Sequence, residues 1–132
     1  MKKITADFKQ IPVLVIDDYL INLELTKHML ELMQCKVDTA VTGNEAIKRV
    51  EEGEYALIFL DIQMPDMDGL EIAKRIRALR QGKKQIPIIA LTANALEGDR
   101  EKYLAAGMND YISKPITGEQ MEEAIKRQLV TK

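Results

Sequence analysis

Scarcity is the first feature of this 132-residue chain. It has one cysteine, Cys35, so no internal disulfide can form, and a reducing cytoplasm is its expected home. It has one histidine and no tryptophan, which excludes a multi-histidine metal site. No stretch approaches the roughly 20 apolar residues of a membrane span, so no membrane contact is expected of this domain. The start, Met1-Lys2-Lys3-Ile4-Thr5-Ala6-Asp7, is charged but has no apolar segment of the signal-peptide kind. An excess of one charge is also lacking: 19 Lys+Arg against 21 Asp+Glu leave a net −2, which argues against direct nucleic-acid binding. What remains is an ordinary globular composition, 46% apolar and 30% charged. The length suits one domain over 1–132 with a core from about 11 to 130, and about two-thirds of the unfolded chain's surface would be buried.

Three short apolar runs stand out: Ile11 to Ile16, Ala56 to Leu60 and Ile86 to Leu91. They are too short for core helices, rich in β-branched residues and poor in polar alternation, the mark of strands buried on both faces. Lys36 to Val41 and Asp110 to Ser113 are weaker strand candidates. Between them lie helical spacings: Leu25, Met29 and Leu32; Ile72, Ile76 and Leu79; Met121, Ile125 and Leu129. The pattern is β-α five times over, which predicts an α/β fold with a parallel sheet covered by five helices. Right-handed crossovers favour the flavodoxin-like, doubly wound order 2-1-3-4-5. In such sheets ligands bind beyond the carboxyl ends of the strands.

The residues that follow the apolar runs carry the chemistry. Asp17 and Asp18 follow predicted strand 1, Asp61 strand 3, Thr92 strand 4, and Lys114 with Pro115 strand 5. In the predicted order strands 1, 3, 4 and 5 are neighbours about 4.8 Å apart, so these side chains converge on one edge. Thr92 is one strand from Asp61, within a short hydroxyl's reach. Lys114 is two strands away, about 10 Å, which only a long side chain can span. Taken singly, an Asp after a strand is an N-cap or a turn former. Three carboxylates together repel one another unless a cation offsets them. An all-oxygen site of this kind suits Mg²⁺ or Mn²⁺, with Lys114 as a permanent counter-charge. Pro115 is a candidate cis proline, because the turn must aim Lys114 back over the sheet edge.

Four segments make a specific resemblance: Val15-Ile16-Asp17-Asp18, Asp61-Ile62-Gln63-Met64-Pro65-Asp66-Met67-Asp68-Gly69, Leu91-Thr92-Ala93-Asn94 and Lys114-Pro115, with Gly107-Met108-Asn109-Asp110-Tyr111 before the last. From about Pro12 to Leu129 the chain resembles the receiver domain of two-component response regulators, and most of all the receivers of hybrid sensor histidine kinases. The resemblance implies that Asp61 takes a phosphoryl group from a phosphohistidine on a histidine kinase or histidine phosphotransfer domain. It implies that Asp17, Asp18, Asp61 and the Gln63 backbone carbonyl hold Mg²⁺, that Thr92 and Lys114 contact the phosphoryl oxygens, and that Tyr111 changes rotamer on phosphorylation. It further implies a surface formed by helix 4, strand 5 and helix 5 that serves a homodimer or a downstream protein. Tyr19 departs from the hybrid-type pattern, which often carries Asn after the acidic pair.

The chemistry agrees. Phosphoryl transfer needs an in-line nucleophile and neutralised equatorial oxygens, and little else. Lys suits the task because a point charge on a flexible stem follows the transferring group. Gln63 and Asn94, two residues beyond Asp61 and Thr92, are placed to admit or block a hydrolytic water. As neutral amides they can hydrogen-bond that water without acting as a base.

The alternative with related chemistry is a haloacid-dehalogenase-type phosphotransferase or phosphatase. It needs a second acid two residues after the nucleophile, where this chain has Gln63. A flavodoxin-like flavin binder needs a phosphate cradle after strand 1, where Asp17-Asp18 would repel the phosphate. Asp66 and Asp68 could suggest a nuclease-like metal site, but they read as a Pro/Gly turn. His28 has no adjacent acid to orient its ring as a phosphodonor. Cys35 reads as a half-buried filler. Arg75, Arg77, Arg80, Lys83 and Lys84 read as a solvated basic face, with an acidic partner surface as the alternative.

Overall fold

The computed structural model describes residues 10–62, 68–79, 85–93 and 97–129. Five strands, β1 (Pro12–Ile16), β2 (Lys36–Ala40), β3 (Leu57–Asp61), β4 (Ile88–Thr92) and β5 (Asp110–Ser113), alternate with five helices, α1 (Leu20–Leu32), α2 (Gly43–Glu52), α3 (Gly69–Arg77), α4 (Glu97–Ala105) and α5 (Gly118–Leu129). The strands form one parallel sheet in the order β2-β1-β3-β4-β5, as the sequence predicts. The apolar runs lie one or two residues out of step with the strands. Asp61 and Thr92, expected just beyond β3 and β4, are their last residues.

Pleating divides the core into two. Leu14, Ile16, Ile58, Leu60, Ile88 and Ala90 face α2, α3 and α4, where they pack with Val50, Ile72, Ile76 and Tyr103. Val13, Val15, Leu57, Phe59, Ile89 and Leu91 face α1 and α5, packing with Leu23, Leu30, Met121 and Ile125. The residues of β3 and β4 are buried throughout, which is why these runs lack polar alternation. Each fully buried Leu or Ile contributes about 1.5–3 kcal/mol.

Helix α1 corrects the sequence reading. Its buried residues are Leu23, Thr26 and Leu30, whereas the expected stripe is largely outside: Leu25 is 52% and Leu32 61% exposed, with Ile21 at 67%. The helix is apolar on both sides, and spacing alone cannot say which side faces the sheet. Its N-cap, Tyr19, makes no side-chain cap bond. By contrast Thr42 caps α2 through the Glu45 N–H, with Glu45 reaching back to the Val41 N–H.

Two further expectations change. Cys35 is buried rather than half-buried, and burial pushes its thiol up to about 11. Arg77 is not part of a solvated face. Its guanidinium donates to the Gly107 carbonyl (2.8 Å), the Ile86 carbonyl (2.7 Å) and Asn109 Oδ1 (2.8 Å), clamping the end of α3 to the segments that lead into β4 and β5. Gly107 has φ +102°, and a Cβ there would stand 2.7 Å from Arg77 Cγ, so both backbone and space demand glycine. Arg80, Lys83 and Lys84 lie outside the described residues.

Candidate functional site

At the carboxyl ends of the central strands three acids gather. One side-chain oxygen from each of Asp17, Asp18 and Asp61 lies within 4.8 Å of the others. Asp17 and Asp61 are buried and Asp18 is half-buried. The turn after β1 is tied down by the Asp17 N–H, which donates to the Ala40 carbonyl at 3.1 Å, and by Asp17 Oδ1, which accepts the Tyr19 N–H at 2.9 Å. Asp17 Oδ2 is buried with no hydrogen-bond partner. Below the same edge, Gly69 lets α3 start close against the end of β3. A Cβ there would meet Ile62 Cα at 2.7 Å, and the Gly69 N–H donates to the Ile62 carbonyl.

Burial raises the Asp17 carboxyl to about 6; the Tyr19 N–H opposes this, the Asp61 carboxylate beside it adds to it, and Lys114 pulls the other way. At neutral pH the site therefore concentrates negative charge that its surroundings disfavour. A partnerless buried carboxylate oxygen among hard oxygen donors is what a divalent cation relieves, so the acidic cluster fits Mg²⁺. Lys114 supplies a fixed cation, its Nζ 3.2 Å from Asp61 Oδ1. The Lys114–Pro115 peptide bond is cis, and the Lys114 N–H donates to the Thr92 carbonyl at 2.8 Å. A groove of about 400 Å³ opens beside the acids between α1 and the β5–α5 turn. Asp17, Leu25, Met29, Lys114, Pro115 and Ile116 are among its walls.

Thr92 ends β4 one strand from Asp61, buried, with Oγ1 3.0 Å from the Tyr103 hydroxyl. Tyr111, half-buried on β5, packs against the same core as Tyr103, and the two rings are tilted with centroids 6.2 Å apart. The structure brings oxygens of Asp17, Asp18 and Asp61 together with the Lys114 ammonium, ends the neighbouring strand at Thr92, and sets Tyr111 on β5 against Tyr103. Gln63 and Asn94 lie outside the described residues, as do Met64, Asp66 and Met67. Sequence reasoning missed Tyr103, because only the folding of α4 over β4 brings its hydroxyl to Thr92.

Comparison with known proteins points one way. The sequence pattern of the response regulator receiver domain matches residues 13–126. The chain is 43% identical over 121 residues to hybrid signal transduction histidine kinase L of Dictyostelium discoideum, covering 87% of this chain and 7% of that protein. It is 41% identical over 115 residues to the signal transduction histidine-protein kinase BarA of Escherichia coli, covering 87% of this chain and 12% of the kinase. The chain therefore spans only a small part of the curated relatives it matches. Among solved structures, the receiver domain of sensor histidine kinase PA1611 from Pseudomonas aeruginosa, with a magnesium ion in its active-site cleft, superposes with a TM-score of 0.84. It is 34% identical and covers 92% of this chain and 99% of that one. The response regulator TrrA of Thermotoga maritima, solved with Mg²⁺ and beryllofluoride, gives a TM-score of 0.78 at 36% identity, covering 89% of this chain and 98% of that one.

Proposed function

Because this chain belongs to the response regulator receiver family of two-component signalling, we propose that it is a phosphoacceptor whose nucleophile is Asp61. The observation that carries this reading is the placement of Asp61: the last residue of a fully buried strand, paired with Lys114 and facing two further acids. A carboxylate oxygen of Asp61 attacks the phosphorus of a phosphohistidine on a histidine kinase or histidine phosphotransfer domain. The new O–P bond forms as the P–N bond breaks, and the departing imidazole keeps the electron pair and takes up a proton.

Lys114 holds positive charge against the transferring oxygens, and the Thr92 hydroxyl donates a directional hydrogen bond to one of them. Asp17, Asp18 and Asp61, with the Gln63 carbonyl, would hold Mg²⁺, which supplies further charge neutralisation. The protein donor has to approach over the groove mouth, and exposed Leu25 at the edge of that mouth supports α1 as part of its landing face. On the opposite side the 2.8 Å Arg127–Asp110 ion pair joins α5 to β5. That supports the α4–β5–α5 face as a unit read by a second copy or a downstream protein. Placement within a hybrid histidine kinase fits the first of these relatives, and the single cysteine supports a reducing, cytoplasmic setting.

Intact-mass measurement tests the reading. With acetyl phosphate or phosphoramidate and Mg²⁺ the chain gains one phosphoryl group, and Asp61→Asn or EDTA abolishes the gain. Persistent labelling of Asp61→Asn would move the acceptor elsewhere.

A further inference from the structure

The Thr92 hydroxyl is engaged by α4. Its Oγ1 lies 3.0 Å from the Tyr103 hydroxyl, and the two residues are only 2% and 5% exposed. Either oxygen can be the donor, and in so dry a place the bond is strong and its loss is felt. The Tyr103 ring also meets Tyr111 at a centroid distance of 6.2 Å and an interplanar angle of 54°. Ala90, the β4 register partner of Tyr111, lies in the same core cluster and is small enough to leave room for both rings. Tyr103 therefore touches both residues assigned to the switch.

The pleat says which way Thr92 is held. Asp61 shares its register position with Leu91, whose side chain packs on the α1 and α5 side. Thr92, one residue further, alternates to the side of Ala90 and Tyr103. To serve a phosphoryl oxygen on Asp61, its hydroxyl must leave Tyr103 and turn toward the sheet edge. Resting on the phosphoacceptor reading above, we propose that Tyr103 is a positioning residue: its hydroxyl latches Thr92 on the α4 side and holds the switch off until Asp61 is phosphorylated. Releasing Thr92 changes the hydrogen bonding of the Tyr103 hydroxyl, and Tyr111, whose ring lies against that of Tyr103, follows any movement of it. A bond made only in the resting arrangement biases the two-state equilibrium by its own strength.

The test is a titration of the full chain with beryllofluoride and Mg²⁺, followed by amide NMR shifts. Tyr103→Phe keeps the ring and removes the latch, so beryllofluoride binds about threefold to tenfold more tightly than to the parent, the range one neutral hydrogen bond supports. In a Thr92→Val background, where there is no hydroxyl to latch, adding Tyr103→Phe changes the affinity less than about 1.5-fold. A residue that merely supports the fold would lower the melting temperature without tightening binding. In the parent, ¹³Cζ-tyrosine labelling gives a readout that needs no substitution: the Tyr103 resonance moves on beryllofluoride binding. Unchanged or weaker binding by Tyr103→Phe, an equal gain in the Thr92→Val background, or a stationary Tyr103 resonance overturns the latch. Failure of the parent itself to bind beryllofluoride in an Asp61-dependent way overturns the phosphoacceptor reading, and the latch with it.

Discussion

Lys114 Nζ reaches Asp61 Oδ1 at 3.2 Å although β4 lies between their strands. Two strand spacings separate the backbones by about 10 Å, so only an extended lysine closes the gap. Its end remains partly accessible while the Asp61 side chain is almost fully enclosed. This suits a cation that must stay on an oxygen-rich group as that group grows. Among the described residues one ammonium, that of Lys114, is paired at this cluster of three acids, so their charge is only partly compensated there.

The partial compensation predicts a metal-dependent stability. A cation that binds only the folded chain stabilises it by about 1.4 kcal/mol at ten times its Kd. The melting temperature should therefore rise in millimolar Mg²⁺ over its value in EDTA. Asp18→Asn removes one of the mutually repelling charges, so it should melt higher than the parent in EDTA and lose the response to Mg²⁺. Equal melting curves for the parent with and without Mg²⁺ would count against a cation at the acidic cluster.

The exposed apolar side of α1 predicts a separation between donors. Replacing Leu25 with Asp places a charge at the groove mouth without touching the core, since Leu25 is 52% exposed. Phosphorylation by acetyl phosphate should stay within twofold of the parent. Transfer from a phosphohistidine protein should slow by tenfold or more, as expected when an apolar contact at an interface is replaced by an unpaired charge. Equal slowing with both donors would instead indicate damage to the acidic cluster.

Most of this architecture is legible in the sequence because of how β1, β3 and β4 are buried. Strands covered on both faces need unbroken apolar runs, and the first polar residue at the end of each run marks the sheet edge where ligands bind. Asp17, Asp61 and Thr92 announce themselves in that way. The failures have an equally physical cause. Helix α1 carries leucine on two sides, so Leu25 and Leu32 satisfy a helical period while Leu23, Thr26 and Leu30 take the core. Arg77 sits in a basic run that looks solvated, and nothing local says that the Gly107 and Ile86 carbonyls await it. Tyr103 lies eleven residues from Thr92, and only the packing of α4 joins their hydroxyls.

Gln63 and Asn94 yield a prediction about lifetime. Water must reach an aspartyl phosphate in line to hydrolyse it, and we propose that these two amides, each two residues beyond Asp61 or Thr92 in sequence, govern that approach without supplying a base at neutral pH. Substituting either by alanine, or by an acid able to take a proton, should change the decay rate of the phosphorylated chain severalfold. The same variants should still accept one phosphoryl group from phosphoramidate. Decay measured by loss of the added mass that is indifferent to both positions would remove them from the hydrolytic step.

Arg77 yields the last prediction, which concerns stability rather than chemistry. Three of its hydrogen bonds join α3 to the Gly107 carbonyl, the Ile86 carbonyl and Asn109, whose Oδ1 also accepts the Ile88 N–H at the start of β4. Hydrogen bonds from a charged donor are worth about 1.5–3 kcal/mol each, and stranding a carbonyl costs on the same scale. Arg77→Ala should therefore destabilise the fold by at least about 2 kcal/mol. Arg77→Lys should recover only part of this, because one ammonium cannot match a planar fork aimed at three acceptors. Chemical denaturation reads both values. Once the folded fraction is accounted for, phosphorylation of Asp61 by acetyl phosphate should proceed at the parent's rate, since Arg77 braces the amino-terminal end of β4 while the acids stand at the other end of the sheet. A melting curve for Arg77→Ala that overlays the parent would show that these bonds do not hold the segments leading into β4 and β5 in place.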